Sequence, residues 1–367
     1  MKFEISRETL IKPLQLVAGV VERRQTLPVL SNILLVLDGN QLSMTGTDLE
    51  VELIGRVEIE SGFQSGEVTV PARKLMDICK SLPDSASLKM ELDDNKLIIR
   101  SGRSRFTLST LPPSDFPSAE ESSEAIEFSI SQERLKEMLD STSFAMAQQD
   151  VRYYLNGLLF EVSPNYLRLV STDGHRLAMD TEDMATSADK TIQVIVPRKG
   201  ILELARLLGE GGGSVNIVIG SNHIRAKTAN FTFTSKLIDG KFPDYDRVLP
   251  KGGDKKIIAD RNELRLSLSR TAILSNEKFR GIRLTLLDDE IKILANNPEQ
   301  EEAEEIVVVE YKGESLEIGF NVSYLIDVLT VLDTETVQVI VSDSNSSGLI
   351  QGADGSSALY VVMPMRL

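Results

Sequence analysis

Asp173-Gly174-His175 is the place in this 367-residue chain where a carboxylate and an imidazole stand close enough in sequence to suggest a catalytic dyad. A hydrolase that uses a side-chain nucleophile needs a base beside it and a third group that orients the base. The chain has only two histidines for that work, His175 and His223, and no Gly-x-Ser-x-Gly elbow on which a serine could be exposed. The residues around His175 read as a strand end and turn, so a structural or partner-contacting histidine is the better reading. Metal chemistry fares no better, because Cys-x-x-Cys, His-Glu-x-x-His and the EF-hand loop are all missing. The single Cys79 can form neither an internal disulfide nor a thiolate zinc site, and it reads as a core residue of a protein kept in the reducing cytosol. Gly209-Glu210-Gly211-Gly212-Gly213-Ser214 has the composition of a phosphate loop. It lacks the Gly-Lys-Ser/Thr ending and follows a helix instead of opening one, so a helix-to-strand turn is expected. Asn230, Asn321 and Asn345 open Asn-x-Ser/Thr matches that matter only in a secreted chain. No catalytic residue, metal or cofactor is expected.

Charge points to binding. The net charge is −15, from 55 acidic and 40 basic residues, which argues against wrapping DNA by overall attraction. The distribution is uneven. Acidic residues crowd Glu299-Gln300-Glu301-Glu302-Ala303-Glu304-Glu305, whereas Arg23, Arg24, Arg73, Lys74, Arg198 and Lys199 sit at helix starts and loop corners. An acidic exterior with a basic inner face fits that pattern. Apolar content of 41% and charged content of 26% are those of a soluble globular protein, and no apolar stretch has the length of a membrane span or signal peptide.

The elements that must position these residues come three times. Phe3, Ser6 and Leu10 recur as Phe128, Ser131 and Leu135, and again as Ile257, Asp260 and Leu264. Val70 of Val-Thr-Val-Pro returns as Val196 of Val-Ile-Val-Pro and, more faintly, as Phe320. Units this long bury their own cores, so an α+β fold of three repeated domains is expected, at 1–120, 126–248 and 255–367. Their repetition suits a pseudo-symmetric arc or ring. Each unit reads as a short strand, a helix capped by Ser6, Ser131 or Asp260, a hairpin, a strand, a second helix and closing strands. Hairpins are expected at 33–45, 158–171 and 282–295. The linkers lie at 112–124 and 242–254, where Pro, Gly and charge replace the alternating pattern. Pro13 is awkward for the first helix, which is expected to begin late or kink there. On the second helices, Leu75, Ile78, Cys79 and Leu82 share one face while Arg73, Asp77 and Lys80 share the other; Ile201, Leu204, Ala205 and Leu208 oppose Lys199, Glu203 and Arg206. A recurrent net-basic face is expected, with an ordinary solvated face as the alternative.

Several stretches closely resemble the beta subunit of bacterial DNA polymerase III, the replicative sliding clamp family. They are Thr45 to Glu50, Asp150 to Gly157, Thr172 to Ala178, Ser275 to Gly281, Asn296 to Glu305 and Val361 to Leu367, in the family's order and over the whole chain. The resemblance implies a DNA clamp fold with two helices per domain on antiparallel sheets, half of a ring closed by a head-to-tail homodimer. Helices would line the hole and strands the outside. Such a ring is a non-catalytic processivity factor of DNA replication in the cytoplasm. It encircles double-stranded DNA without sequence preference, is loaded by the ATP-driven clamp loader complex, and tethers the polymerase III alpha subunit and other proteins carrying a clamp-binding motif. The resemblance assigns DNA contacts to Arg24, Arg73, Gln149, Tyr153, Tyr154, Arg198 and Lys199. It assigns a partner-peptide pocket to Leu155, Thr172, Gly174, His175, Arg176, Leu177, Pro243, Arg247, Val248, Asn345, Ser347, Val361, Val362, Met363, Pro364, Met365 and Arg366. Asn345 departs from the aliphatic residue expected there. Taken alone, Val361-Val362-Met363 reads as a buried last strand; aliphatics with a soft methionine and a proline also suit an extended peptide's apolar anchors.

Ring closure would join the first unit of one chain to the third of another. Arg103-Ser104-Arg105-Phe106-Thr107-Leu108 alternates as an edge strand facing a partner does, and Glu301, Glu302, Glu304 and Glu305 supply opposite charge. The resemblance adds Ile273 and Leu274 as the apolar contact to Phe106 and Leu108. The alternative is that Phe106 and Leu108 fill their own domain's core. Two rivals to the clamp remain at this stage, a hydrolase and a protein scaffold that does not bind DNA.

Overall fold

Alternating apolar residues around Asp-Gly and Pro-Asn turns make the hairpins, and the rest of each repeat is hung on them. A computed structural model describes residues 1–21, 27–60, 62–117, 126–210 and 212–366. Arg23, Arg24, residues 118–124 of the first linker, Gly211 and Leu367 lie outside the described residues. The first repeat gives β1 (Lys2–Ser6), α1 (Arg7–Val20), β2 (Asn32–Asp38), β3 (Gln41–Thr47), β4 (Val51–Glu58), β5 (Gly66–Pro71), α2 (Ala72–Ser81), β6 (Ser87–Asp93), β7 (Lys96–Ser101) and β8 (Ser104–Ser109). The second gives β9 (Ile126–Ser131), α3 (Gln132–Ser143), β10 (Gly157–Ser163), β11 (Tyr166–Thr172), β12 (Arg176–Asp183), β13 (Ile192–Pro197), α4 (Arg198–Leu207), β14 (Ser214–Ile219), β15 (His223–Lys227) and β16 (Phe231–Lys236). The third gives β17 (Lys255–Asp260), α5 (Arg261–Thr271), β18 (Gly281–Leu287), β19 (Glu290–Asn296), β20 (Glu302–Val308), β21 (Leu316–Asn321), α6 (Val322–Val331), β22 (Thr336–Val341), β23 (Gly348–Gly352) and β24 (Ala358–Val362).

Helix starts follow their caps. The Ser6 hydroxyl accepts from the Thr9 N–H at 3.0 Å, and the Asp260 carboxylate accepts from the Glu263 N–H at 2.7 Å. The late start expected from Pro13 does not occur, because α1 begins at Arg7 and continues through Pro13. Leu10, Leu14, Val17 and Val20 form a buried stripe that holds the helix on the sheet despite the missing N–H. Gly46 and Gly55 let it approach: a Cβ on Gly46 would lie 2.8 Å from the Val17 carbonyl oxygen, and one on Gly55 would lie 3.3 Å from the Pro13 Cβ.

The described strands form four antiparallel sheets, two of four strands and two of eight. The small sheets run β1-β6-β7-β8 and β20-β19-β18-β21; the large ones run β5-β2-β3-β4-β16-β15-β14-β9 and β13-β10-β11-β12-β24-β23-β22-β17. The large sheets join consecutive repeats. β4 pairs with β16, and β12 pairs with β24. The chain accordingly forms two compact units, Met1–Glu133 with Leu202–Leu237 and Arg134–Ile201 with Ile238–Leu367, so the second repeat contributes to both.

In the second unit the large sheet separates two clusters by the two-residue period of its strands. Ala358, Tyr360 and Val362 of β24 join the core under α5 and α6, with Leu264, Leu268, Phe320 and Leu325. Val361 points the other way, into a smaller cluster with Leu159, Val170, Leu177, Met179, Ile195, Phe242 and Tyr245. The basic second-helix face does not extend to the third repeat: α6, Val-Ser-Tyr-Leu-Ile-Asp-Val-Leu-Thr-Val, has neither lysine nor arginine. There the basic residues stand on α5, at Arg261, Arg265 and Arg270.

Candidate functional site

The tight turn from β11 to β12 is built by its own side chains. The Thr172 hydroxyl donates to the Arg176 carbonyl at 2.6 Å and accepts from the Gly174 N–H at 3.1 Å. Asp173 Oδ1 accepts from the N–H groups of His175 at 2.9 Å and Arg176 at 3.1 Å. Gly174 has φ +90°, and a Cβ there would also come within 3.1 Å of the Arg152 guanidinium. The Asp173 carboxylate therefore holds backbone and Arg176, while the His175 ring stacks on Tyr324 with centroids 6.4 Å apart. A base oriented by a carboxylate is not what this turn makes.

Arg176 is the anchor beneath the turn. Its guanidinium pairs with Asp173 at 3.1 Å and with Asp327, donates to the Phe144 carbonyl at 3.1 Å, and lies over the rings of Tyr324 at 4.6 Å and Phe144 at 5.2 Å. The last strand is then tied to the turn. Arg176 stands opposite Val362 and Leu177 opposite Val361, and beyond β24 the Met363 N–H donates to the His175 carbonyl at 2.9 Å. Met365 continues outward, its N–H bonded to the Gly319 carbonyl at 2.8 Å.

These ties create one apolar surface. Leu177 and Val361 are buried in the smaller cluster, with Tyr154, Val248 and Leu349 packed half-buried against it. Buried Phe242 and Tyr245 fasten the loop that leaves Pro243 and Arg247 exposed, and Arg247 pairs with Asp244 at 2.7 Å. Burial raises the Tyr245 phenol, which donates to Glu161 at 2.9 Å and accepts from Arg168 at 3.1 Å. Met363, Pro364, Met365 and Ser347 are half-buried; Asn345 and Arg366 are exposed, and the Asn345 N–H bonds to Asp343 at 2.8 Å. Leu155 is buried. Val362 is not part of this surface, because strand alternation turns it into the opposite core. Among the described residues, no cluster of three His, Cys, Asp or Glu side chains could hold a metal.

The residues assigned to nucleic acid are divided between the two units. Arg73 is exposed on α2, in the first compact unit. In the second unit, Arg198 opens α4 and donates to the Met146 carbonyl at 3.4 Å, beside exposed Lys199. Gln149 is exposed at φ +55°, and Tyr153 is exposed while Tyr154 turns inward to the apolar cluster.

Both strands expected to close a ring are sheet edges. β8 ends its sheet with Arg103 and Arg105 exposed nearby and Phe106 half-buried, but Leu108 is only 7% exposed and fills its own core. β20 ends the other small sheet, and it exposes Ile306 and Val308, which the acidic run around them conceals in the sequence. Ile273 stands 75% exposed on a 3-10 turn, with Leu274 half-buried beside it. Glu305 and Glu304 already pair with Arg270 at 2.7 Å and Lys292 at 2.8 Å, and Glu301 accepts from Asn297 at 2.6 Å. Glu302 is exposed.

The chain matches the DNA polymerase III beta subunit N-terminal domain over residues 1–120, its central domain over 129–244 and its C-terminal domain over 246–366. The chain belongs to the DNA polymerase III beta subunit family. It is 66% identical to the beta sliding clamp of Pseudomonas aeruginosa and 52% identical to that of Escherichia coli K12, each over 367 residues and the whole of both chains. A crystal structure of the DNA polymerase III subunit beta from Pseudomonas aeruginosa superposes with a TM-score of 0.97 at 65% identity, covering 100% of both chains. A sliding clamp from the same organism bound to griselimycin gives 0.97 at 66% identity, again with full coverage of both. The three clamp domains of this family are the three repeats, each with two helices and antiparallel sheets.

Proposed function

We propose that this chain is a DNA polymerase processivity factor: a sliding clamp, closed as a homodimeric ring around duplex DNA, that tethers polymerases through the apolar surface beside Met363. The observation that carries the reading is full-length membership of the beta subunit family together with that surface. The bond from Met363 to His175 supports assigning the groove to the second and third repeats jointly. Its aliphatic lining, soft methionines and polar rim suit a short extended peptide, the form in which the polymerase III alpha subunit, the clamp loader and repair factors would present themselves. Exposed Arg73, Tyr153 and Lys199 suit weak, sequence-neutral phosphate contacts, and Arg24 belongs with them by the family resemblance. The edge strands β8 and β20, with Ile273 and Leu274, suit closure between the first repeat of one copy and the third of another. The role is non-catalytic, and the lone thiol suits the cytoplasm. No helix among the described residues is long and apolar enough to cross a membrane. The domains are best drawn at 1–120, 126–248 and 255–367. Primer extension by a bacterial replicative polymerase with loader and ATP tests the reading. Added protein should lengthen the products made in one binding event, and unchanged lengths would contradict it.

A further inference from the structure

The two large sheets place equivalent residues at equivalent junctions, and one junction has exchanged apolar groups for polar ones. In the first unit Gly55 pairs with Phe231 and Leu53 with Phe233. At the same registers in the second unit Asp180 pairs with Ala358 and Ala178 with Tyr360. The helix above changes too: Lys12, Gln15 and Leu16 of α1 correspond to Glu137, Asp140 and Ser141 of α3.

The result in the second unit is a cavity of about 410 Å³ between α3, the end of α6 and β24. Its lining includes four carboxylates, Glu137, Asp140, Asp180 and Asp333, against one guanidinium, Arg134. The corresponding space in the first unit is lined instead by Glu8, Lys12 and Arg56 among uncharged polar and apolar residues. Asp180, 2% exposed, is fully engaged by Arg134 at 2.8 Å and Ser141 at 3.0 Å. Glu137 lies 3.5 Å from Arg134, and Asp140 pairs with Lys136 on its own helix. Asp333 is exposed at the mouth.

Tyr360 lines this cavity and is 0% exposed, yet its hydroxyl has no hydrogen-bond partner. A buried hydroxyl without a partner is unfavourable, and Phe233 at the equivalent position shows that the fold accepts a ring without one. Burial, and then the charges of Asp180 and Asp333, hold the phenol above its ordinary range. An anion would meet four carboxylates there, and no three carboxylates converge closely enough for a metal ion. A group that donates several N–H bonds and carries one positive charge fits both the phenol oxygen and the surrounding acids.

We propose that this cavity binds a primary alkylammonium group, recognised by Asp333 at the mouth and Tyr360 at the floor. The same chemistry is carried by a free diamine and by a lysine side chain. Isothermal titration calorimetry of the full chain at constant ionic strength tests it, with 1,4-diaminobutane, Nα-acetyl-lysine amide and tetramethylammonium, which has no N–H to donate. One of the two amines should bind at one site per chain while tetramethylammonium does not; the diamine alone would indicate a free amine, and the lysine amide a side chain. Asp333→Asn and Tyr360→Phe should each weaken binding by roughly tenfold or more. Asp333 is exposed, so Asp333→Asn should melt with the parent, and Tyr360→Phe, which removes a buried unpaired oxygen, should melt at or above it. Absence of saturable binding by either amine, or parental affinity in Asp333→Asn, would overturn the proposal.

Discussion

The Met363 N–H donates to the His175 carbonyl at 2.9 Å, which makes the end of the third repeat and a turn of the second into one surface. Deleting Met363 to Leu367 removes this bond and that of Met365 while leaving β24, Ala358–Val362, in its sheet. We expect the truncated chain to fold and dimerise and to lose at least a hundredfold in affinity for a polymerase-derived peptide, measured by fluorescence polarisation. Unchanged affinity would remove this surface from the account.

Arg176 should behave as a structural residue. It joins Asp173, Asp327 and Phe144 and lies over two rings, so Arg176→Ala leaves half-buried acceptors without this partner and should cost about 1 to 3 kcal/mol of stability. Arg176→Lys should recover little, because an ammonium cannot reproduce the planar fork. Urea unfolding followed by circular dichroism decides this, and a parental midpoint in Arg176→Ala would refute it.

Much of the fold was legible where the physics is local. The hairpins follow from alternation and turn chemistry, and the caps at Ser6 and Asp260 from side chains three residues before their donors. The eight-stranded sheets were not legible, since β4 meets β16 and β12 meets β24 across long separations that no local pattern encodes. The same limit hid Tyr324 and Phe144, which complete the site from distant segments. Val362, which the resemblance assigned to the pocket, faces the opposite core by strand alternation. Pro13 misled because tertiary burial outweighed its helix penalty. Leu108 misled because an edge strand still turns every second side chain inward.

Acid should loosen the turn after Gln149 before it unfolds the chain. The Asp150 carboxyl is lowered to about 2 by hydrogen bonds from the Arg152 side chain and backbone. A depressed carboxylate stabilises the fold above its unfolded value near 3.8, and the effect fades as pH falls from there toward about 2. The protection of the Arg152 amide against hydrogen exchange, taken relative to the intrinsic rate at each pH, should fall in that window and stay constant between pH 5 and 8. Asp150→Asn should show fast exchange at every pH, whereas slow exchange in that variant would rule out the carboxylate's role.

Ring closure should depend on apolar contact more than on charge. Glu304 and Glu305 are already paired within their own repeat, and exposed pairs are worth about 0 to 1 kcal/mol each. Ile273→Ala combined with Leu274→Ala should give a folded monomer at micromolar concentration, while high salt alone weakens the dimer only modestly. Analytical ultracentrifugation checks both, and an intact dimer in the double variant would place the closing surface elsewhere.

Exposed basic residues should set DNA contact without setting stability. Arg73→Ala and Lys199→Ala should each leave the melting temperature within error, because exposed truncations change stability by about 0.5 kcal/mol or less. Each should flatten the logarithmic salt dependence of DNA binding by roughly one unit for a lost phosphate contact. An unchanged slope would mean that these residues do not touch DNA.

The central claim is topological, and retention on DNA of different shape tests it most directly. Protein loaded on a nicked circular plasmid, separated from free protein by gel filtration, should remain with the circle and be released when a restriction enzyme linearises it. Equal retention on circular and linear DNA, or none on either, would contradict the account.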